Sequence, residues 1–497
     1  MDKDYNGIVI IIYSCKKYYK KSNLLYKLLK SSLKDIKIHI LNGDENIDKE
    51  YLLKDEIIYV KCKDNYDSLY LKTQKLFKEI INIYPKIKGV LKIDDDIIPN
   101  NIFLQNTIAN LLNSSIHYCG KISIVNEPFR ISSHHFEKCE ELINKKPLKL
   151  PQCMYCCGPC YYISCKAIKY LNNNIKLFFS EDIMVGSTLC ETSIYKPLVY
   201  PLYYDDKSYK WITNIQNYKD NTQHDYLTFI RLHGGLGNQI FQMACGIEYC
   251  NKNNSLPILI YDDNWCTHFN INKTLNTIFK KINRINFNDF KDLKINYKII
   301  KPEHDILDAY KFTQLPGIEH NNVLLDGYFQ NINYFKNIDD ELYEIIIDED
   351  HIKSIKKKYV NIENEYFIHI RRGDYVDNKI YEINYNKYFD MALNTIIKTE
   401  NNKINLNILS NDIEYCKSYE ILNNFKDKIN LNFIENSDEI ESFYIMTICK
   451  GGIMSNSSYS WWGSYINKNK NKKFIMPNEW LNGVNIDMSF GPMVLRL

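Results

Sequence analysis

At 497 residues, 45% hydrophobic and 25% charged, the chain has an ordinary globular composition and is too long for one common domain core. A formal net charge of +3 gives no basic face of the kind that binds nucleic acid or an anionic membrane. Fifteen cysteines, an odd number, suit reduced thiols rather than a disulfide framework. The abundance of Asn, Ile, Lys and Tyr reads as the nucleotide bias of an AT-rich genome, such as that of a giant virus or a protist, and not as chemistry.

The apolar run Gly7 to Tyr13 is far too short to cross a bilayer and reads as a first buried strand. No signal peptide or membrane anchor is visible, so a cytoplasmic protein is expected, and the sequons at Asn113 and Asn272 carry no meaning there. A helix is expected over Ser22 to Leu33 with Ser22 as its N-cap, a strand over Lys37 to Leu41, and an amphipathic helix over Ser68 to Ile83 with Leu69, Leu76, Phe77 and Ile80 on one face. The strand Gly89 to Ile93 runs straight into Asp94, Asp95 and Asp96. Three adjacent carboxylates repel one another, so a strand end carrying them is either a solvated acidic turn or a place where a hard cation such as Mg2+ or Mn2+ is held.

Next comes the cysteine cluster Cys153, Cys156, Cys157, Cys160 and Cys165 around Gly158-Pro159. It does not form two clean zinc pairs with a completing second cluster, so small packing residues beside a tight turn are expected instead. Ser180-Glu181-Asp182-Ile183-Met184-Val185-Gly186 follows. The ordered set of Asp94-Asp95-Asp96, Tyr155-x-x-Gly158-x-x-Tyr161-x-x-Ser164 and Glu181-Asp182-x-x-x-Gly186 resembles the beta-1,3-galactosyltransferase family, which includes N-acetylglucosaminyl and Fringe-type transferases, over roughly residues 7 to 200. The resemblance implies a GT-A fold, a UDP-sugar donor, Mn2+ and inversion at the anomeric carbon. It implies donor roles for Asp94, Asp95, Gly158 and Glu181, metal ligation by Asp96 with Asp94, and Asp182 as the base that takes the acceptor proton. The sequence departs from the family in having no histidine between Asp182 and His224, which leaves the metal shell open.

Residues 203 to 225 are polar and aperiodic, and the linker is placed at 206–225. Domains are therefore expected at 1–205 and 226–497. Strand–helix alternation then restarts: strands at Leu227 to Leu232, Pro257 to Tyr261, Val323 to Leu325, Tyr366 to Ile370, Leu406 to Leu409, Leu431 to Ile434, Gly452 to Met454 and Phe474 to Met476, with a helix from Gln239 to Cys250.

Three blocks in this half carry chemistry. Gly234-Gly235-Leu236-Gly237-Asn238-Gln239 opens a helix without the spacing of a dinucleotide fingerprint. His369-Ile370-Arg371-Arg372-Gly373-Asp374 puts two guanidinium forks at a strand end. Ser455-Asn456-Ser457-Ser458 offers small polar groups at a strand–helix junction, followed by Trp461 and Trp462, which are expected to pack the helix rather than stack on a base. With Asp326-Gly327-Tyr328-Phe329-Gln330, Leu409-Ser410-Asn411-Asp412 and Pro477-Asn478-Glu479-Trp480, these blocks resemble the alpha-1,2-fucosyltransferase family over about residues 227 to 490. The resemblance implies a GT-B-like fold of two Rossmann-like halves, a GDP-fucose donor, a glycan acceptor and no metal. His369, Arg371 and Arg372 would grip the diphosphate, Gly235, Gly237 and Asn238 would line the cleft, and Asn456 and Ser457 would face the nucleotide. For the proton acceptor Asp374, Glu441 and Asp438 stay open.

The whole reads as an α/β chain, a GT-A-like domain followed by a GT-B-like domain, joining a metal-dependent beta-1,3 hexosyl transfer to a metal-free alpha-1,2 fucosyl transfer. The alternatives are a first domain that only holds the acceptor, and a non-catalytic glycan-binding protein.

Overall fold

A computed structural model of the chain describes residues 4–99, 101–125, 129–130, 139, 148–149, 151–177, 179–192, 194–195, 197, 209–211, 226–265, 271–319, 321–400, 402–469, 472–490 and 494–497. By their contacts they form two units: Met1–Tyr226 with Asn283–Ile295, and Leu227–Ile282 with Asn296–Leu497.

The first unit is built on a seven-stranded sheet, in the order Tyr51–Lys54, Ile57–Val60, Lys37–Gly43, Ile8–Tyr13, Gly89–Asp94, Met154–Ser164, Tyr118–Ile124. Ile8–Tyr13 is buried along its whole length and pairs in parallel with both neighbours, as a continuous apolar run predicts for a central strand. Its register sets Tyr13 opposite Asp94, so both strands end at one level. Met154–Ser164 joins antiparallel to Gly89–Asp94 on one side and to Tyr118–Ile124 on the other, where its register shifts between Cys156 and Tyr161. Sequence reading expected a tight turn there; the Gly158-Pro159 pair instead lies in the irregular stretch of one long strand, where a proline costs no ladder hydrogen bond. The cysteines serve as packing residues as expected: Cys156 lies in the main core and Cys153 in a small cluster with Tyr155 and Ile183.

Helix boundaries differ from expectation at one informative place. The first helix runs Tyr19–Ser32, and Ser22 is buried inside it, its hydroxyl bonded back to the Tyr19 carbonyl, so it is not an N-cap. Leu69–Ile83 buries Leu76, Phe77 and Ile80, as its periodicity requires. Within the stretch expected as a linker, Tyr209–Trp211 is a strand paired antiparallel with Ile97–Pro99, so the sheet structure of the first unit draws on residues beyond 205. His224 and the rest of that stretch lie outside the described residues.

The second unit holds two strand systems. In the first, Ser255–Tyr261, Tyr226–Arg231, Asn322–Leu325 and Tyr297–Ile300 are neighbours in that order. The second runs Ile429–Phe433, Ile404–Ser410, Tyr366–Ile370, Gly451–Ile453, Lys473–Met476, Val494–Arg496, every pairing parallel. Helices Leu236–Asn253, Tyr385–Thr399, Glu439–Ile448 and Ser458–Tyr465 join or cover them. The two Rossmann-like halves expected of this region are present. Trp461 and Trp462 are 1% and 0% exposed and pack with Phe241 and Phe335, so they are core, as expected. Among the described residues no helix is long and apolar enough to cross a membrane.

Candidate functional site

In the first unit the candidate residues meet at the carboxyl end of Gly89–Asp94, where open α/β sheets bind ligands. Lys92, 1% exposed, is the organising group. Its ammonium donates to Asp94 Oδ1 at 2.6 Å and to the Gly158 carbonyl, and lies 3.8 Å from Glu181 Oε2. Glu181 also accepts from the buried Tyr161 hydroxyl. A Cβ placed on Gly158 would lie 3.7 Å from Asp182 Oδ2, 3.9 Å from Lys92 Nζ and 4.0 Å from Asp94 Oδ2, so these three groups surround one point. Glu181 and Asp182 open the helix Glu181–Cys190, where Ser180 and the Ile183 amide fix Asp182 Oδ1 at 2.6 and 2.8 Å and leave Oδ2 toward Gly158. The spacing to Gly186 has a steric reason: a Cβ there would lie 2.2 Å from Tyr155 Cβ, so only glycine lets this helix rest on the Met154–Ser164 strand.

Charge does not balance locally. Burial pushes the carboxyls of Asp95 and Glu181 up to about 7, with neighbouring aspartates adding to the effect, although Ser14 donates to Asp95 at 2.5 Å and Lys92 faces Glu181. Burial alone would depress the Lys92 ammonium; Asp94 and Glu181 more than reverse that and raise it. Asp96 Oδ1 is buried with no hydrogen-bond partner. An orphaned carboxylate oxygen beside an excess of carboxyl groups fits a hard divalent cation. Among the described residues no three His, Cys, Asp or Glu side chains are already gathered around one metal position.

In the second unit a cleft of about 380 Å3 is lined by residues from both halves. Three helix N-termini reach it: Gly235, Leu236 and Gly237 at the start of Leu236–Asn253, Ser437 to Glu439 at Glu439–Ile448, and Ser457 and Ser458 at Ser458–Tyr465. Two of them touch backbone to backbone, since a Cβ on Gly237 would lie 2.3 Å from the Ser458 carbonyl carbon. Such ends carry unpaired amides and partial positive charge, which favours an anion. Arg371 adds a full charge and is held by Asp374 at 2.5 Å.

Several expected roles change. His369 lines the cleft, but burial, followed by the nearby Arg371, pushes its imidazole down to about 3, and Ser455 Oγ lies 2.9 Å from its Nδ1. It contributes a neutral ring, not charge. Arg372 is absent from the cleft lining: its guanidinium lies 3.8 Å from the Tyr415 ring centre, in a separate depression, because adjacent residues at a strand end point to opposite sides. Asn456 borders the cleft, but its amide donates to the Tyr381 and Trp480 carbonyls and accepts from Tyr385, so it braces the wall. Ser457 lines the cleft and does not cap its own helix. Asn238 is fixed through Oδ1 by Gln330 at 2.5 Å and Ser458 at 2.7 Å.

Of the carboxylates, Glu441 is absent from the cleft lining and accepts from Lys358 and Tyr359. Asp438 caps its helix through Ile440 and Glu441 amides and pairs with Lys273. Asp374 remains open to the cleft. Besides Lys92 in the first unit, two groups of this unit escaped sequence reading. Glu439 lines the cleft with a buried Oε1 that has no partner. Glu303 accepts from the Tyr328 and Phe329 amides at 2.6–2.7 Å and holds Phe329 in a left-handed conformation, φ 51°, which aims Gln330 at Asn238.

Comparison with known proteins relates each region to a family of glycosyltransferases. Residues 200–483 match glycosyl transferase family 11, and residues 42–197 match the galactosyltransferase family. An alpha-1,2-colitosyltransferase of Escherichia coli is 29% identical over 53% of this chain and 94% of its own length. The O-antigen biosynthesis glycosyltransferase WbnK of the same species is 26% identical over 51% and 95%. In the first unit, the human UDP-GalNAc:beta-1,3-N-acetylgalactosaminyltransferase 1 is 29% identical over 29% of this chain and 43% of its own length, less than half of that relative. Among solved structures, the fucosyltransferase NodZ from Bradyrhizobium aligns with a TM-score of 0.34 at 9% identity, over 48% of this chain and 93% of its own.

Proposed function

The chain belongs to glycosyl transferase family 11, and from that membership we propose that its second unit transfers fucose from GDP-fucose, in alpha-1,2 linkage and without a metal, onto a glycan ending in galactose. The convergence of three helix N-termini and Arg371 on one cleft carries this reading. The diphosphate lies against the amides of Gly235 and Gly237, and Arg371 meets the negative charge that grows on the leaving phosphate as the bond to the sugar breaks. These groups are fixed before the reaction, so no reorganisation is needed. Glu439 offers its unpartnered oxygen to the N–H groups of the guanine edge. The acceptor hydroxyl attacks the anomeric carbon from the opposite face, its proton passes to Asp374, and GDP leaves. Replacing Asp374 with Asn tests this step: GDP-fucose binding by calorimetry should persist while transfer disappears. Retained transfer removes Asp374 from the role of base. Because one relative is named for colitose, the assay also includes a GDP-colitose donor.

For the first unit the reading is inverting beta-1,3 transfer of galactose or N-acetylglucosamine from a UDP-sugar. Asp96 and Asp94 would hold a divalent cation such as Mn2+, which supplies positive charge to a departing diphosphate. Asp182, its Oδ1 fixed and its Oδ2 turned to Gly158, takes the acceptor proton, and Gly158 lets the sugar approach the strand. Lys92 keeps Asp94 and Glu181 in place. A product ending in beta-linked galactose is an acceptor for the second unit, and one chain holding both activities raises the local concentration of that intermediate.

The deciding experiment is a donor screen on the whole chain: UDP-galactose, UDP-N-acetylglucosamine, UDP-N-acetylgalactosamine and GDP-fucose, each with and without Mn2+. Metal dependence is expected for the UDP-sugars alone. A first unit that only holds the acceptor is the second reading, favoured by the lack of a gathered three-ligand cluster among the described residues; turnover of no UDP-sugar would establish it.

A further inference from the structure

Arg371 and Arg372 part company at the end of the Tyr366–Ile370 strand, and the space into which Arg372 turns is a cavity of its own. It measures about 310 Å3, within the range of small-molecule sites. Tyr385, Tyr415 and Tyr419 line it together with Arg372, and Glu382 and Asn384 contribute polar groups. Arg371 and Tyr375 border both this cavity and the donor cleft, so the two are neighbours across one ridge of the chain.

We propose that this depression seats the sugar next to the terminal galactose of the acceptor glycan, as a neutral pyranose ring. The inference rests on the fucosyl-transfer reading of the second unit. Its first support is shape chemistry. Tyr415 and Tyr419 pack 5.2 Å apart, and Tyr385 stands on Phe389 at 5.7 Å, so the wall is an aromatic surface already braced from behind. A pyranose presents an apolar C–H face that packs on such rings while its hydroxyls stay at the edge. Its second support is an unmet donor. Arg372 Nε is buried without a hydrogen-bond partner, with the nearest carboxylate, Asp412 Oδ2, at 3.9 Å. The guanidinium is held in place by the Tyr415 ring and by the Arg372 amide bonded to Asn411 Oδ1 at 2.9 Å. A sugar hydroxyl is an acceptor of the right size for it. Its third support is charge. Asp377 and Glu382 balance Arg371 and Arg372 in the same lining, so the cavity offers no net charge and suits a neutral ring.

The test uses the full chain with GDP-fucose and two acceptors, methyl beta-galactoside and a beta-galactosyl-1,3-N-acetylglucosamine disaccharide. The wild type should show the lower KM for the disaccharide. In Arg372→Met and Tyr415→Ala that advantage should shrink at least tenfold, with GDP affinity by calorimetry within twofold of wild type. Glu382→Gln, an exposed rim position, should give a smaller loss in the same direction and decides the matter if the first two fail to fold. Equal KM values for the two acceptors in the wild type would overturn the inference, as would a tenfold fall in GDP affinity in Arg372→Met, or competition of inorganic phosphate with the disaccharide. A wild type that binds GDP but transfers fucose to neither acceptor, or that does not bind GDP, would instead sink the parent reading, and this inference with it.

Discussion

The candidate sites of the two units carry opposite charges. Around Gly158 stand carboxylates, with the buried Lys92 already engaged by Asp94 and Glu181. Around Gly237 stand helix N-termini and Arg371. An acidic site repels a diphosphate until a cation is added, whereas a site of amides and a guanidinium is ready as folded. The difference teaches that similar strand-end positions place no constraint on which electrostatic device is used; the side chains at the strand end decide it.

This contrast can be broken most severely by chelation. Removing divalent metal, or replacing Asp96 with Asn, should abolish UDP-sugar turnover by at least about 10³-fold, the scale of losing a principal charge-stabilising group, and leave GDP-fucose transfer unchanged. Equal sensitivity of both activities would erase the distinction. The mirror experiment is Arg371→Ala, expected to lower fucose transfer by about 10²–10³-fold while UDP-sugar turnover is unaffected; coupled kinetic assays on one preparation read both. Next in size is Lys92→Met. It strands Asp94 and Glu181 without their buried partner and should cost about 3–5 kcal/mol in denaturant unfolding. A loss below about 1 kcal/mol would mean that the acidic site does not depend on that lysine.

A smaller effect separates the units by pH. His369 has its folded value pushed down to about 3, against about 6.5 when unfolded. Below pH 6.5 the unfolded chain takes a proton that the folded chain refuses, so this group removes stability as pH falls toward 3, at about 1.4 kcal/mol per pH unit. His369→Gln should therefore shrink the stability loss between pH 6.5 and 4.5 by about 2 kcal/mol. GDP-fucose affinity should stay flat over the same range, since its diphosphate has no terminal phosphate to titrate and His369 stays neutral. The smallest effect is expected from Glu441→Gln, which loosens contacts to Lys358 and Tyr359 outside the cleft and should change transfer less than twofold.

What was legible in the sequence follows physical lines. Continuous apolar runs such as Ile8–Tyr13 and Tyr366–Ile370 name themselves as buried parallel strands, and the residues just after them then lie at the ligand edge. That logic located Asp94 to Asp96 and His369 to Asp374. It failed where a local signal competes with a tertiary one. Gly158-Pro159 reads as a turn but belongs to a strand irregularity, and Ser22 reads as a cap but bonds back inside a helix. Direction was illegible as well: nothing in Arg371-Arg372 says that the two forks diverge. Nor do Lys92, Glu303 or Glu439 announce themselves, since each takes its role from partners distant in the chain or from burial.

The glycine-rich segment that opens the second unit holds two unlike positions. At Gly237 every replacement drives an atom into the Ser458 backbone, so the codon is frozen by the protein itself, whatever the chain binds. At Gly235 an added Cβ meets nothing within 4 Å. There only an occupant of the cleft can object. Substitutions at 235 should drift freely in a lineage that has abandoned the donor and be purged in one that uses it, which makes tolerance at that position a readable gauge of selection for activity.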